Sequence, residues 1–198
     1  MQFWFELGST YSYLAAARLQ NLAADAGIAI EWKPFLLGPI FRSQGWNDSP
    51  FNLYPAKGRY MWRDMERLCA KYDLPWRRPS QFPRNGLLAA RLATLVADQP
   101  WVGSFVAAVY RANFAEDRDI AEPAVVVDIV ETLGQPAQRL LEEAQAAANK
   151  EHLRQQTEEA SARGIFGAPT FAVGSEIFWG HDRLEDALAW ARRETPRA

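Results

Sequence analysis

The two ends of this chain read as mixed strand and helix while its long middle reads as helix alone, and that division limits the folds open to it. Phe3-Trp4-Phe5-Glu6-Leu7 is an aromatic strand. Gly8-Ser9-Thr10 then turns the chain into a helix through Tyr11 to Leu19, and Gly27 stands where a left-handed C-terminal residue closes one. Ile28, Ile30 and Trp32 alternate with polar positions until Pro34 stops the pattern. The opening is therefore β-α-β. At the other end, Thr170 to Val173 and Glu176 to Trp179 are strands joined by Gly174-Ser175, and a helix follows from His181 to about Arg193, with basic residues in its last turn.

Between these ends lie two different stretches. Residues 36 to 56 hold Gly38, Pro39, Gly45, Pro50 and Pro55 among aromatic residues such as Trp46 and Phe51, which predicts a long loop of functional kind. From Lys57 to about Arg163 the pattern is helical throughout. Met61, Met65, Leu68 and Tyr72 follow helical spacing, as do Leu88, Leu92 and Leu95. Further helices are expected over Trp101–Asn113, Pro123–Leu133, Pro136–Asn149 and Glu151–Arg163. The element order β-α-β plus β-β-α is that of a thioredoxin-type α/β domain. It predicts a discontinuous domain of residues 1–56 and 151–198 with a large all-helical insertion at 57–150.

Composition narrows the chemistry. Cys69 is the single cysteine among 198 residues and there are two histidines, too few for an intrachain zinc set or a dithiol pair. Metal binding is not expected. The 22 basic and 24 acidic residues leave a charge of -2, so neither nucleic acid nor a membrane surface is an expected partner. Trp76-Arg77-Arg78 is too common a pattern to change that. Glu6 interrupts any signal-peptide stretch at the start, and no apolar run is long enough to cross a bilayer, which predicts a cytoplasmic protein.

In a thioredoxin-type domain the reactive group stands at the start of the first helix, where free N–H groups stabilise an anion. Here that place reads Ser9-Thr10-Tyr11-Ser12, so disulfide exchange is excluded. Ser9 can donate a hydrogen bond to a thiolate brought by a small molecule. It is equally the residue type an N-cap requires, so the segment by itself leaves both roles open. Phe166-Gly167-Ala168-Pro169-Thr170-Phe171 sets a proline before a strand, and the inferred fold predicts a cis Pro169 facing Ser9, with the preceding backbone exposed to pair with an extended peptide. Asp182 precedes Glu185 by three residues, which fits a capping box; alternatively, N–H groups in Trp179-Gly180-His181-Asp182 receive a ligand carboxylate while Asp182 receives its ammonium group. Cys69 belongs to an apolar helix stripe and reads as a buried structural residue, and His152 as a solvated one.

Four segments in order, Ser9 to Ala15, Asn52 to Tyr60, Phe166 to Phe171 and Trp179 to Arg183, resemble the 2-hydroxychromene-2-carboxylate isomerases, a DsbA-like branch of the thioredoxin superfamily related to kappa-class glutathione transferases. The resemblance spans essentially the whole chain. It implies a glutathione-dependent isomerase of an aromatic-degradation intermediate, working on a small aromatic carboxylate as a homodimer. By position, Ser9 matches the catalytic serine, Ala168 with Pro169 the segment that pairs with glutathione, and Trp179, Gly180, His181 and Asp182 the segment holding its γ-glutamyl end. Lys57 matches a lysine contacting glutathione in the kappa relatives, and Asn52 and Phe82 match substrate-pocket positions. Thr10 stands where the family usually has proline, and His181 where Asn or Ser is more usual. The resemblance leaves a transferase or peroxidase of kappa type as the alternative outcome, and a non-catalytic peptide-binding module as a third.

Overall fold

A computed structural model describes residues 1–194; the last four residues of the expected 151–198 segment lie outside it. Strands β1 (Gln2–Phe5), β2 (Glu31–Pro34), β3 (Thr170–Val173) and β4 (Glu176–Trp179) form one mixed sheet in the order β2-β1-β3-β4. β1 runs parallel to β2 and antiparallel to β3, with Phe3 opposite both Trp32 and Phe171. Alternation along β1 sends its aromatic rings to two cores. Phe3 and Phe5 enter the larger one, where Phe3 stacks on Phe171 at 5.4 Å, and Trp4 enters a smaller one against Phe35. All three side chains are fully buried.

Helix α1 (Thr10–Ala26) starts and stops where its caps dictate. Ser9 is the N-cap, and Gly27 takes φ 69 beyond the last turn while Ile28 N–H returns to the Ala23 carbonyl at 2.9 Å. The buried stripe of α1 packs against α6 (Val102–Phe114) and α10 (Leu184–Glu194). A single 3₁₀ turn, His181–Arg183, leads into α10.

The stretch expected as a long loop contains two short helices, α2 (Leu37–Ser43) and α3 (Pro50–Leu53), and α4 (Pro55–Lys71) starts two residues early. Prolines at the first helical position make the starts of α3 and α4, with Ser49 Oγ accepting Phe51 N–H at 3.3 Å ahead of α3. The helical block is also less continuous than its pattern. Residues 72–86 form an irregular connection before α5 (Leu87–Leu95), with prolines at 75, 79 and 83 and a cis Phe82–Pro83 bond. Arg84 holds this connection down. Its guanidinium donates to the Asn113 carbonyl and side chain and to the Arg118 carbonyl, and pairs with Asp117.

α7 (Pro123–Thr132), α8 (Ala137–Ala144) and α9 (Ala147–Ala162) complete the block. The junction of α8 and α9 falls at 145–146, earlier than expected, and Asn149 Nδ2 accounts for the break by donating at 2.8 Å to the orphan carbonyl of Ala144. α9 ties the block to the sheet, for Thr157 Oγ1 accepts Leu36 N–H and Gln156 Nε2 donates to the Pro34 carbonyl. Among the described residues no helix is long and apolar enough to cross a membrane.

Candidate active site

A cleft of about 1470 Å³ opens where β1 ends and α1 begins. One wall carries Ser9, Ala168, Pro169, Gly180, His181 and Asp182; the other is built from 36–51 and 82–87. β1 is turned into α1 by Ser9 N–H donating to the Glu6 carbonyl at 3.0 Å. Ser9 Oγ then does two things at once: it accepts Ser12 N–H at 3.3 Å and donates to the Ala168 carbonyl at 3.1 Å. The cap and the site are therefore the same atom. The Ala168–Pro169 bond is cis. Ala168 N–H finds no acceptor among the described residues, so a donor and a shared carbonyl face the cleft beside the serine.

The chain reaches Asp182 through Gly180, whose N–H bonds to the Pro169 carbonyl at 2.9 Å and whose φ of 116 is open to glycine. Trp179 is 54% exposed and packs on Phe166, which holds the rim of the cleft. His181 is buried, stacked on Tyr11 with centroids 5.5 Å apart and edge-on to Tyr72. Burial pushes its pKa down, the positive charge of Arg18 adds to that, and Asp182 opposes it; its Nδ1 has no partner among the described residues. The imidazole is thus held neutral. The capping-box expectation fails. Asp182 makes no cap bond and Glu185 is engaged by Arg18, which leaves the Asp182 carboxylate exposed at the cleft.

Lys57 lies in the first turn of α4 with its Nζ 4.8 Å from the Tyr54 ring centroid and no ion pair among the described residues. Phe82 lines the opposite wall and packs edge-on against Trp62 at 4.8 Å. Asn52 does not line the cleft. Its amide donates to both Asp48 oxygens and to the Phe82 carbonyl, so it stitches the two segments of that wall together from outside. Cys69 is buried and its thiol is pushed up to about 12 by desolvation, which removes it from thiolate chemistry.

Three cleft groups were not singled out by sequence reasoning. Tyr11 donates from its hydroxyl to Asp64 at 3.1 Å, and burial together with that carboxylate pushes its pKa far up. Arg42 stands on α2 with no ion pair among the described residues. Glu6 sits three residues before Ser9, and desolvation raises its carboxyl to about 7 against a smaller opposing contribution from the Gly8 N–H. A carboxylate closing an aromatic strand just ahead of the candidate serine was the available signal.

The donor set matches glutathione on its own terms. A hydroxyl at a helix start suits a sulfur anion, and an unpaired backbone N–H beside a proline suits an extended peptide. An exposed carboxylate and an unpaired ammonium suit the ligand's ammonium and carboxylate groups.

The chain matches the DsbA-like thioredoxin domain family over residues 1–189. It is 33% identical to the 2-hydroxychromene-2-carboxylate isomerase of Sphingobium xenophagum over 93% of this chain and 94% of that one. It is 27% identical to human glutathione S-transferase kappa 1, over 93% of this chain and 87% of that one. A solved 2-hydroxychromene-2-carboxylate isomerase superposes with a TM-score of 0.84 at 28% identity, covering 97% of this chain and 94% of that one. With a hydroxyl in place of the cysteines at the helix start and these relatives along its whole length, the chain belongs to the 2-hydroxychromene-2-carboxylate isomerase family of DsbA-like thioredoxin domains.

Proposed function

We propose that the protein is an isomerase of 2-hydroxychromene-2-carboxylate-type compounds, as its relatives' names suggest, and that it is glutathione-dependent and acts on an intermediate of aromatic catabolism. The observation that carries the reading is the position of Ser9 Oγ, at a helix start and 3.1 Å from the backbone of the residue before a cis proline. Bound glutathione would supply a thiolate that adds reversibly to a conjugated carbon of the substrate, letting a double bond become single, rotate and re-form.

The chain's own part is stabilisation and placement. Ser9, exchanging its bond to the Ala168 carbonyl for one to sulfur, donates a hydrogen bond to the anion and keeps its proton. The free N–H groups of the first turn of α1 add partial positive charge, and the two together lower the thiol pKa. Ala168 pairs with the peptide backbone, Asp182 and the 180–182 turn take the γ-glutamyl end, and Lys57 neutralises a carboxylate. Phe82, Phe41 and Trp46 give the aromatic substrate an apolar wall and exclude water.

Titrating the ultraviolet absorbance of the thiolate with glutathione bound tests the reading: a thiol pKa lowered toward neutrality supports it, and an unshifted thiol sinks it in favour of a passive binding module. The similarity to the human kappa transferase favours one second reading, in which a conjugate is released. Conjugate accumulating from glutathione and a simple electrophile, with no isomerase turnover, would decide for that reading. We extend the proposal to a cytoplasmic homodimer, which light scattering at micromolar concentration tests.

A further inference from the structure

Glu6 is the one acid of the cleft that neither its pairing nor its exposure explains. It closes β1, three residues before Ser9, and is only partly open, toward the cleft it lines. Its carboxyl lies between two glycines. A Cβ on Gly8 would stand 3.3 and 3.4 Å from its two oxygens, and a Cβ on Gly86 would stand 3.7 Å from Oε1. Both glycines also line the cleft, so the missing side chains are what keep this carboxyl in contact with it.

No cation answers it among the described residues. From the 72–86 connection, Arg84 faces away into Asp117, Asp119 and the carbonyls of Asn113 and Arg118. From α6, Tyr110 donates to the Glu6 backbone carbonyl at 2.9 Å, and its own hydroxyl is held protonated by burial and by the Glu6 charge. Asn113, from the same helix, donates to the Leu7 carbonyl and is neutral. Among the described residues the carboxyl's one polar contact is the Gly8 N–H.

We propose that Glu6 is a catalytic residue beside Ser9, carrying the proton that moves between two oxygens of the substrate as its ring opens. This rests on the isomerase reading above. A 2-hydroxychromene-2-carboxylate bears its hydroxyl and its ring oxygen on one carbon, so it is a hemiketal and must open before any bond in the side chain can rotate. Glu6 carboxylate takes the proton of the 2-hydroxyl. The O–H electron pair becomes the second bond of the new carbonyl, and the bond from that carbon to the ring oxygen breaks with its electrons left on oxygen. The resulting phenoxide takes the proton back from Glu6, so the carboxylate is restored and nothing is consumed. A carboxyl that ionises near neutrality is suited to both halves of such an exchange.

The test is Glu6→Gln in the full chain, which keeps the side chain's shape and removes its proton chemistry. The expected result is a kcat at least about 100-fold lower, a near-neutral pH profile reduced to the titration of the bound thiol alone, and glutathione affinity and thiolate absorbance within about two-fold of wild type. An infrared band of a protonated carboxyl that titrates near neutrality in the wild type should be absent from the variant. A variant that keeps kcat within about three-fold and the same pH limb overturns the proposal while leaving the isomerase reading intact. A wild type that binds glutathione without isomerising overturns both. Should Glu6→Gln fail to fold, Glu6→Asp decides: a lower kcat with a displaced limb supports the role, and an unchanged profile refutes it.

Discussion

The two walls of the cleft are made differently. The wall with Ser9, Ala168 and Gly180 is fixed by main-chain bonds: Ser9 to Glu6, Gly180 to Pro169, Phe35 to Phe5. It stands directly on the ends of strands whose side chains fill the cores. The wall with α2 and α3 buries one side chain in those two helices, Ile40, and leans on ring contacts such as Phe41 to Trp46 at 5.6 Å and Tyr11 to Phe51 at 6.1 Å. On the proposed function, the atoms that would meet a sulfur within tenths of an ångström are set by the backbone, while those that would meet a flat apolar ligand are set by soft packing.

The comparison can be broken most directly at the anchor behind the softer wall. Arg84→Met should cost about 3 to 5 kcal/mol in urea unfolding, since it strips Asp117, the buried Asn113 carbonyl and the half-buried Arg118 carbonyl of their donor. A loss under about 1 kcal/mol would mean that the 72–86 connection is held by something else. Next in size, Ser9→Ala should lower kcat/KM by about 10² to 10³. It should cost only about 1 kcal/mol of stability, for the lost cap. Equal activity in that variant would move the chemistry off the backbone-built wall.

The walls should also respond oppositely to pH. Glu6 has a folded pKa of about 7 against 4.5 unfolded, so the native state binds the proton more tightly. Stability therefore falls as pH rises from about 4.5 to 7, by roughly 3 kcal/mol at most, and is level above that. Asp117, lowered to about 2 chiefly by the Ser80 N–H and the Arg84 guanidinium, should lose its contribution as pH falls from 3.8 toward 2. Urea midpoints across that range for wild type and Glu6→Gln would expose the first slope and remove it. Smallest, Trp46→Ala should raise the KM for an aromatic substrate by about 10-fold, leaving glutathione affinity unchanged. A matching loss for glutathione would mean that the walls are not separable.

This difference also governs what could be read from the chain. Ser9 and Gly27 at the two ends of α1, the strands Thr170–Val173 and Glu176–Trp179, and the cis bond before Pro169 follow from local residue types and element order. The helices α2 and α3 were hidden because glycines and prolines interrupt 36–56 repeatedly, and a proline at a first helical turn looks like one in a loop. Asp182 with Glu185 had the spacing of a capping box, yet Arg18 on α1 competes for Glu185. Asn52 reads as a pocket residue by position but is turned to Asp48 and the Phe82 carbonyl. Glu6 could be noticed locally as a carboxylate just ahead of Ser9, but the space left to it by Gly86, eighty positions away, is carried by no local pattern.

The central place of β1 shapes how the protein is made. Phe3, Trp4 and Phe5 leave the ribosome before the rest of their sheet, and β2 closes one edge of their strand soon afterwards, but the other edge waits for Thr170 to Val173. Until those residues are made the nascent chain therefore carries an open aromatic strand edge, the kind of surface on which chains aggregate and chaperones bind. Ser9 emerges early and Ala168 late, so a polypeptide stalled anywhere in between has a first helix but no cleft.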